Sequence, residues 1–415
     1  MNQTYLETKS KSLGEPVDVL LADVAIRIQL SRTSHRTAVE RYETIGRWLD
    51  REGSPLRGLV TLLYPQGSMA IGATIARRLR TDEFDIDGVV ELILSQGVPP
   101  KEVLDLLFES LRGERGSRYY AMVERRTRCV TVHYEDMHLD VTPAVLVPGQ
   151  TPKTSVIFHH KPEDRSGAGY RLWANPWGFA EWFKRMTPRD QHFADLFAFR
   201  ASELESGIRI AAAETDPVPN QEGPHQKSKA VVALQLLKRW RNVRYDRRNS
   251  RRPPSILLAK LIADAANHTQ TLSEELLLQA ESLRSVFRGA HERRELLHAV
   301  NPTCDDDVLT DRWPSTFTDQ GMFLEDLEDL VAKVGRLKGD CDLAEMREIM
   351  SDLFGEAPTG QVFETFNEEE GRRIRTGGSR HLLNGGRLVL GRTGASAGTG
   401  VSVSRATKGH TFFGS

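Results

Sequence analysis

Asp85 and Asp87 stand two residues apart in Glu83-Phe84-Asp85-Ile86-Asp87-Gly88-Val89-Val90-Glu91-Leu92-Ile93-Leu94, a segment whose composition predicts a β-strand. Residues i and i+2 of a strand share a face, so the two carboxylates lie side by side and Ile86 points into the core. Two such carboxylates repel, and a divalent magnesium or manganese ion between them relieves the repulsion. Asp140 lies in a second strand-like segment, Met137-His138-Leu139-Asp140-Val141-Thr142, with His138 and Thr142 on its face and Leu139 and Val141 on the other. A neighbouring strand would bring Asp140 beside the pair. Three carboxylates placed so would hold two metal ions about 3.5–4 Å apart for an in-line displacement at phosphorus. The attacking group would be a hydroxyl and the leaving group pyrophosphate, so the predicted chemistry is metal-dependent nucleotidyl transfer.

Gln66-Gly67-Ser68 precedes the first pair of carboxylates. Gly67 lets backbone approach a ligand closely. The Ser68 hydroxyl and nearby backbone N–H groups would donate to phosphate oxygens. Gln66, Gly67 and Ser68 are therefore the candidate phosphate-binding residues. A lone Gly-Ser reads as a surface turn, and a lone Asp-x-Asp as a solvated strand edge. The signal is their joint order, with a third apolar-flanked aspartate following.

The elements that must position these residues can be read in outline. Val17, Leu20, Leu21, Val24, Ile28, Ala38, Tyr42, Ile45 and Leu49 have helical spacing and predict one long amphipathic helix over 16–50, ended by Gly53-Ser54-Pro55. Residues 59–94 carry the phosphate turn and the first catalytic strand. Pro99-Pro100 opens a helix. The alternation in Val123-Glu124-Arg125-Arg126-Thr127-Arg128-Cys129-Val130-Thr131-Val132 predicts the strand beside Asp140. After about residue 200 the pattern becomes mostly helical, with a loop or hinge over 208–222 and a helix over 226–245. Pro253-Pro254 stops that stretch, and Ser255 is placed to N-cap the next helix.

Tyr64-Pro65-Gln66-Gly67-Ser68-Met69-Ala70-Ile71-Gly72-Ala73-Thr74 followed by Phe84-Asp85-Ile86-Asp87 resembles the bacterial cGAS/DncV-like nucleotidyltransferases (CD-NTases) of CBASS anti-phage systems. Leu236-Leu237-Lys238-Arg239-Trp240-Arg241-Asn242 is similar to a family helix whose lysine contacts nucleotide phosphate. Pro253-Pro254-Ser255-Ile256-Leu257-Leu258 is similar to the following helix start, whose serine does likewise. The resemblance implies an α+β fold: a polymerase-beta-like core of mixed sheet and helices with a long N-terminal spine helix, over 1–205. A helical oligoadenylate-synthase-like lobe over 206–372 and a flexible tail over 373–415 would follow. It implies that Asp85, Asp87 and Asp140 hold two Mg²⁺ (or Mn²⁺) ions, and that Ser68, Lys238 and Ser255 hold a donor triphosphate from ATP, GTP or another nucleotide. The product would be a cyclic di- or trinucleotide that signals phage infection to an effector.

The rest of the sequence sets bounds. The 415 residues suffice for two lobes, and 39% hydrophobic with 27% charged residues is ordinary for a water-exposed protein. A net charge of −1 disfavours a long RNA acceptor. Neither a membrane-length apolar run nor a signal peptide is apparent, so the expected location is the cytoplasm. Cys129, Cys304 and Cys341 are an odd, widely spaced set, which argues against disulfides and against a zinc-dependent DNA-binding insertion. His159-His160 has no ligand partner at metal spacing. Eight basic residues over 238–252 read as a solvated helix end and loop, with a phosphate or nucleic-acid surface as the other reading. Trp173, Trp177, Phe179, Trp182 and Phe183 read as a packed junction.

From Gly377 the chain is rich in Gly, Ser, Thr and Arg and ends Phe412-Phe413-Gly414-Ser415, a composition that does not bury enough apolar surface to fold alone. In many relatives a terminal glycine is joined to targets by a ubiquitin-type E1/E2 partner, which makes Gly414 the candidate here. The final Ser415 departs from that pattern and would require trimming. Two other readings stand beside cyclisation: transfer to an RNA 3′ end or a protein side chain, and a non-enzymatic scaffold. An unused cluster of charges costs stability, which speaks against the scaffold.

Overall fold

The computed structural model describes residues 13, 15–76, 84–95, 97–150, 152–164, 167, 169–212, 226–246, 248, 250–339, 341–375, 379–381 and 388–390. Residues up to Glu364 form one compact unit and Thr365 onward another.

A mixed sheet carries the first unit. Its strands are β1 (Val60–Gln66), β2 (Phe84–Leu92), β3 (Val123–Arg125), β4 (Val130–His133), β5 (Met137–Leu146), β6 (Ser155–His159) and β7 (Tyr170–Ala174). The order is β1-β2-β5-β4-β3, with β1 antiparallel and β5 parallel to β2. The long β5 pairs β4 with its first half and β6 with its second. Alternation works as the sequence predicts. Phe84, Ile86 and Val90 of β2 and Met137, Leu139 and Val141 of β5 point to one face and bury there. The amphipathic helix α4 (Pro100–Arg112) covers that face with Val103, Leu104, Leu107 and Leu111. The opposite face is left for Asp85, Asp87, His138, Asp140 and Thr142.

The N-terminal segment is not one helix but two, α1 (Pro16–Ile28) and α2 (Arg32–Leu49). Gln29 adopts an extended backbone and bridges antiparallel to Ile75, which a continuous helix would forbid. Ser31 then caps α2 by accepting from Ser34 N at 3.0 Å. The two halves bury differently. Only one stripe of α2 is buried (Ala38, Ile45, Leu49), whereas α1 is buried almost all round. Its polar groups are satisfied there: Arg200 grips Asp23 with two bonds of 2.8 and 2.6 Å, and Asp18 accepts from Ser273 N at 2.7 Å.

The short α3 (Gly67–Ala70) follows β1 directly. Beyond the sheet the first unit is mainly helical: α5 (Pro176–Met186), α6 (Gln191–Ala212), α7 (Lys229–Tyr245), α8 (Ser255–Ala265), α9 (Leu272–Glu292), α10 (Phe317–Lys338) and α11 (Leu343–Phe354). A hairpin of β8 (Val300–Asn301) and β9 (Cys304–Val308) interrupts them. The predicted lobe boundary at 205/206 falls inside α6. Most of the predicted hinge over 208–222 lies outside the described residues. Of the aromatic run, Phe179, Trp182 and Phe183 are buried as predicted, while Trp173 and Trp177 stay exposed. α12 (Glu356–Arg375) runs into the second unit, where β10 (Ser379–His381) pairs β11 (Leu388–Leu390). That small hairpin departs from the expected structureless tail, because Leu388-Val389-Leu390 supplies strand-forming residues. Phe412, Phe413, Gly414 and Ser415 lie outside the described residues.

Candidate active site

The strand register delivers the convergence of the aspartates. In the parallel β2–β5 pair, Asp87 stands opposite Asp140 and Asp85 opposite His138. On the other flank of β5, Thr131 stands opposite Asp140 and donates its hydroxyl to Asp140 Oδ1 at 2.5 Å. Gln66, at the end of β1, stands opposite Asp87, so the next residue, Gly67, turns directly against that carboxylate. Gly67 has φ +59°, and a Cβ there would meet Asp87 Oδ2 at 2.6 Å. The turn therefore needs glycine for its conformation and for its clearance.

The facing wall is helical. Lys238, buried on α7, donates to Ser68 Oγ at 2.8 Å and to the Ala73 carbonyl at 2.6 Å. One turn on, the buried Arg241 donates to the Pro253 carbonyl at 2.7 Å and to Ser255 Oγ at 3.1 Å. Between these walls lies a cavity of about 750 Å³. Gly67, Ser68, Asp85, Asp87 and Asp140 line it from the sheet side, and Lys238 and Ser255 from the helices. Seven of the eight residues that the sequence singles out for this site are thus brought together.

Gln66 is not. Its amide donates to Thr142 Oγ1 at 3.1 Å, and it does not line the cavity. As the last residue of β1 it braces the sheet across Asp87 by bonding Thr142, which itself lines the cavity. Ser255 is the first residue of α8, with Pro254 in the cap position, so it is not the N-cap and its hydroxyl accepts from Arg241. Of the basic run over 238–252, Arg251 and Arg252 are exposed as expected, but the helical part is not a solvated surface. Lys238 and Arg241 are buried, and both line the cavity with Arg252. Arg244 pairs with Asp329 and Asp352, and Arg248 with Asp326. Sequence reasoning also missed Asn242, Arg126, Arg128 and Arg312, all of which line the cavity. Arg241 was signalled by its i+3 spacing from Lys238 on one helix face. The other arginines lie at turns, where no periodicity points inward. His159 Nδ1 accepts from Arg128, and His160 Nδ1 pairs with Arg125.

The electrostatics are polarised. Burial, Asp140 and Asp85 together push the Asp87 carboxyl up to about 7, with Lys238 opposing. Burial and Arg241 pull Lys238 down to about 7, against the attraction of Asp87. Arg241 falls to about 9 through burial and Arg252. Cys129, beside Asp140 and Asp87, is pushed up to about 12, chiefly by burial, and stays a neutral thiol. Each wall is overcharged with its own sign. The sheet wall wants cations and the helical wall wants anions. Among the described residues, no three His, Cys, Asp or Glu side chains close around a single point as a ready cage. An all-oxygen, partly open donor set still suits a hard divalent ion that keeps water and substrate phosphates in its shell.

Fold and site together define the class, a nucleotidyltransferase of the polymerase-beta type. The profile of the Second Messenger Oligonucleotide or Dinucleotide Synthetase (SMODS) domain matches residues 17–155. The cyclic dinucleotide synthase CdnG of Bradyrhizobium diazoefficiens is 36% identical over 91% of this chain and 89% of its own length. A c-di-GMP synthase of Roseivirga ehrenbergii is 26% identical over 85% and 89%. The solved structure of the Bradyrhizobium CdnG with GTP superposes with a TM-score of 0.72 at 32% identity, covering 85% of this chain and 99% of that one. The Escherichia coli MS115-1 CdnC structure with ATP shares the fold at a TM-score of 0.52 and 13% identity, over 81% and 97%. The chain belongs to the cGAS/DncV-like nucleotidyltransferases, the CD-NTases.

Proposed function

We propose that this enzyme joins nucleoside triphosphates, ATP, GTP or both, into a cyclic di- or trinucleotide with release of pyrophosphate. The observation that carries the reading is the register of Asp87 against Asp140 across a cavity whose far wall presents Lys238 to Ser68. Asp85, Asp87 and Asp140 would hold two divalent ions, Mg²⁺ or Mn²⁺. Bound there, such ions neutralise the phosphates and acidify the attacking hydroxyl. Ser68, Lys238 and Ser255 would bind the donor triphosphate, and Arg241 would join them. Lys238 is held neutral or half-charged by burial, and a phosphate beside it favours its charged form. A ribose hydroxyl of a second nucleotide attacks the donor α-phosphorus, the bond to the β-phosphate oxygen breaks, and pyrophosphate leaves. A second transfer closes the ring. Positioning and charge neutralisation supply most of the rate.

The sheet-bearing part of the first unit and its later helices are proposed as the two walls of this reaction chamber. On the family resemblance, we also propose that the product signals phage infection to an effector, and that an E1/E2-type partner acts on the tail at Gly414.

Purified protein incubated with the four nucleotides and Mg²⁺ tests the reading by mass spectrometry after phosphatase treatment. A phosphatase-resistant cyclic product supports it. Products made only when RNA or a protein acceptor is added would replace it with transfer to that acceptor.

A further inference from the structure

A separate cavity of about 460 Å³ lies where four helices end. The last turn of α5 supplies Arg185, and the connection into α6 supplies Arg189 and Asp190. The first turn of α7 supplies Lys229 and Ala230, and the stretch after α8 supplies Thr269. α7 and α8 also carry Lys238, Arg241 and Ser255, but towards their other ends. Lys238 stands roughly 14 Å along α7 from Lys229. Asp85, Asp87 and Asp140 do not line this cavity, so it lies outside the reaction chamber. Its charges do not cancel. Lys229 is answered, because its Nζ donates to Asp190 Oδ2 at 2.7 Å and to the Thr269 carbonyl at 2.9 Å. That bond holds the Asp190 carboxyl below the usual carboxylate range. Glu275, the other carboxylate on the wall, is buried and accepts from Thr269 Oγ1 at 2.8 Å and Gln279 Nε2 at 2.7 Å. Arg185 has no carboxylate partner among the described residues, and Arg189 reaches only the neutral Gln226 amide oxygen, at 3.5 Å. Both arginines are exposed.

The backbone adds donors. Ser228 caps α7 by accepting from Val231 N at its hydroxyl, 3.3 Å, and from Val232 N at its carbonyl, 3.1 Å. No described residue accepts from the N–H groups of Lys229 and Ala230, and Ala230 is buried. A buried donor left without an acceptor costs stability, so a ligand or water oxygen is favoured there. Two uncompensated guanidinium groups and two free N–H groups at a helix start together suit a doubly charged phosphate monoester. The volume exceeds what a phosphate fills, and Met186, Pro188 and Ala266 give the remainder an apolar wall. We propose that this cavity is a second binding site, for a phosphorylated small molecule of mononucleotide size. Its phosphate lies between Arg185, Arg189 and the first turn of α7. The occupant undergoes no transfer there, since no catalytic carboxylate reaches it. It braces the start of the helix whose later turns carry Lys238 and Arg241.

Calorimetric titration of the full chain with AMP in chelator reads this site apart from catalysis. The Lys238→Met protein lacks the donor-site lysine, so the AMP binding it keeps reports the second cavity. Adding R185Q and R189Q to that protein, at an unchanged melting temperature, should weaken AMP binding roughly 100-fold. Inorganic phosphate should compete with AMP there, whereas adenosine and succinate should not. In the otherwise wild-type chain, R185Q/R189Q should leave pyrophosphate release without AMP unchanged. Crystals soaked with 8-bromo-AMP should show bromine in the second cavity and the phosphate against Arg185 and Arg189. The proposal is overturned if AMP binding survives the double substitution, or if the Lys238→Met protein binds no AMP. Succinate competing as well as phosphate, or bromine found only in the catalytic cavity, would also overturn it. The binding readouts do not require the enzyme to join nucleotides, so they judge the site even if the reaction proposed above fails.

Discussion

The two walls of the cavity are built by different rules. The acidic wall comes from two adjacent parallel strands, where side-chain alternation fixes each carboxylate and register fixes their pairing. The basic wall comes from α7, the start of α8 and turns far apart in the sequence, and depends on tertiary packing. The acidic wall is like-charged and strained, with Asp87 forced towards neutrality. The basic wall buries Lys238 and Arg241 with hydroxyl, amide and carbonyl partners, none of them a carboxylate in the bonds they form. Each wall is costly alone, and under the proposed reading a nucleotide with divalent ions would reconcile them. A site held this way trades stability for readiness to bind.

That contrast predicts opposite responses to neutralisation. Asp85→Asn with Asp87→Asn should lower product formation by more than roughly 10³-fold, because it removes ligands the reaction uses as a unit. The same protein should melt higher than wild type in chelator, by roughly 2–4 °C. The sign follows from linkage. The folded-state Asp87 carboxyl lies at about 7, above its ordinary 3.8, so wild-type stability falls as pH rises through that window. The melting difference should therefore grow from pH 4 to 7 and level off above. A double variant that melts lower at pH 8 would break the contrast.

On the basic wall, Lys238→Met should cost about 10²-fold in kcat/KM, the loss of a charged donor to phosphate, measured by pyrophosphate release. Folded-state Lys238 lies at about 7, below its ordinary 10.5. Wild type thus gains stability from this group as pH rises from 7 to 10.5, and the stabilising effect of Met should be largest below pH 7. Nucleotide binding at pH 8 should take up a proton, seen by calorimetry in two buffers of different ionisation heat. Equal heats would show that Lys238 does not meet phosphate.

Gly67→Ala joins the two walls and sharpens the comparison further. Its methyl group would enter the space of Asp87 Oδ2, so activity should fall by roughly 10-fold, with a stability loss of about 1 kcal/mol. Gln66→Ala should do least. It removes one bond to Thr142 at the cavity's edge, costing about 1 kcal/mol in denaturant unfolding with little change in kcat.

Legibility in the sequence follows the same division. Strand alternation is local, so Asp85, Asp87 and Asp140 and the core face behind them could be read before any coordinates. The parallel β2–β5 pairing that matches Asp87 with Asp140 is a long-range fact that alternation does not specify. The break at Gln29 was invisible because helical spacing continues on both sides of it, and only the bridge to Ile75 forbids the helix. Lys238 and Ser255 were legible by resemblance. Arg241 sat in a basic run whose composition alone suggests solvent, and burial by packing decides otherwise, whereas Arg252 stays exposed and still lines the cavity. Gln66 failed for a geometric reason: it ends β1 and points along the sheet to Thr142, one residue short of the turn.

The central claim is that Asp85, Asp87 and Asp140 share metal ions in one cavity with a triphosphate. Anomalous diffraction from crystals soaked with Mn²⁺ and an α,β-methylene nucleoside triphosphate tests it directly. Two manganese peaks within coordination distance of these carboxylates, with the triphosphate reaching Ser68 and Lys238, is the predicted result. Manganese elsewhere, or a triphosphate bound with its α-phosphate away from Asp87 and Asp140, would contradict it.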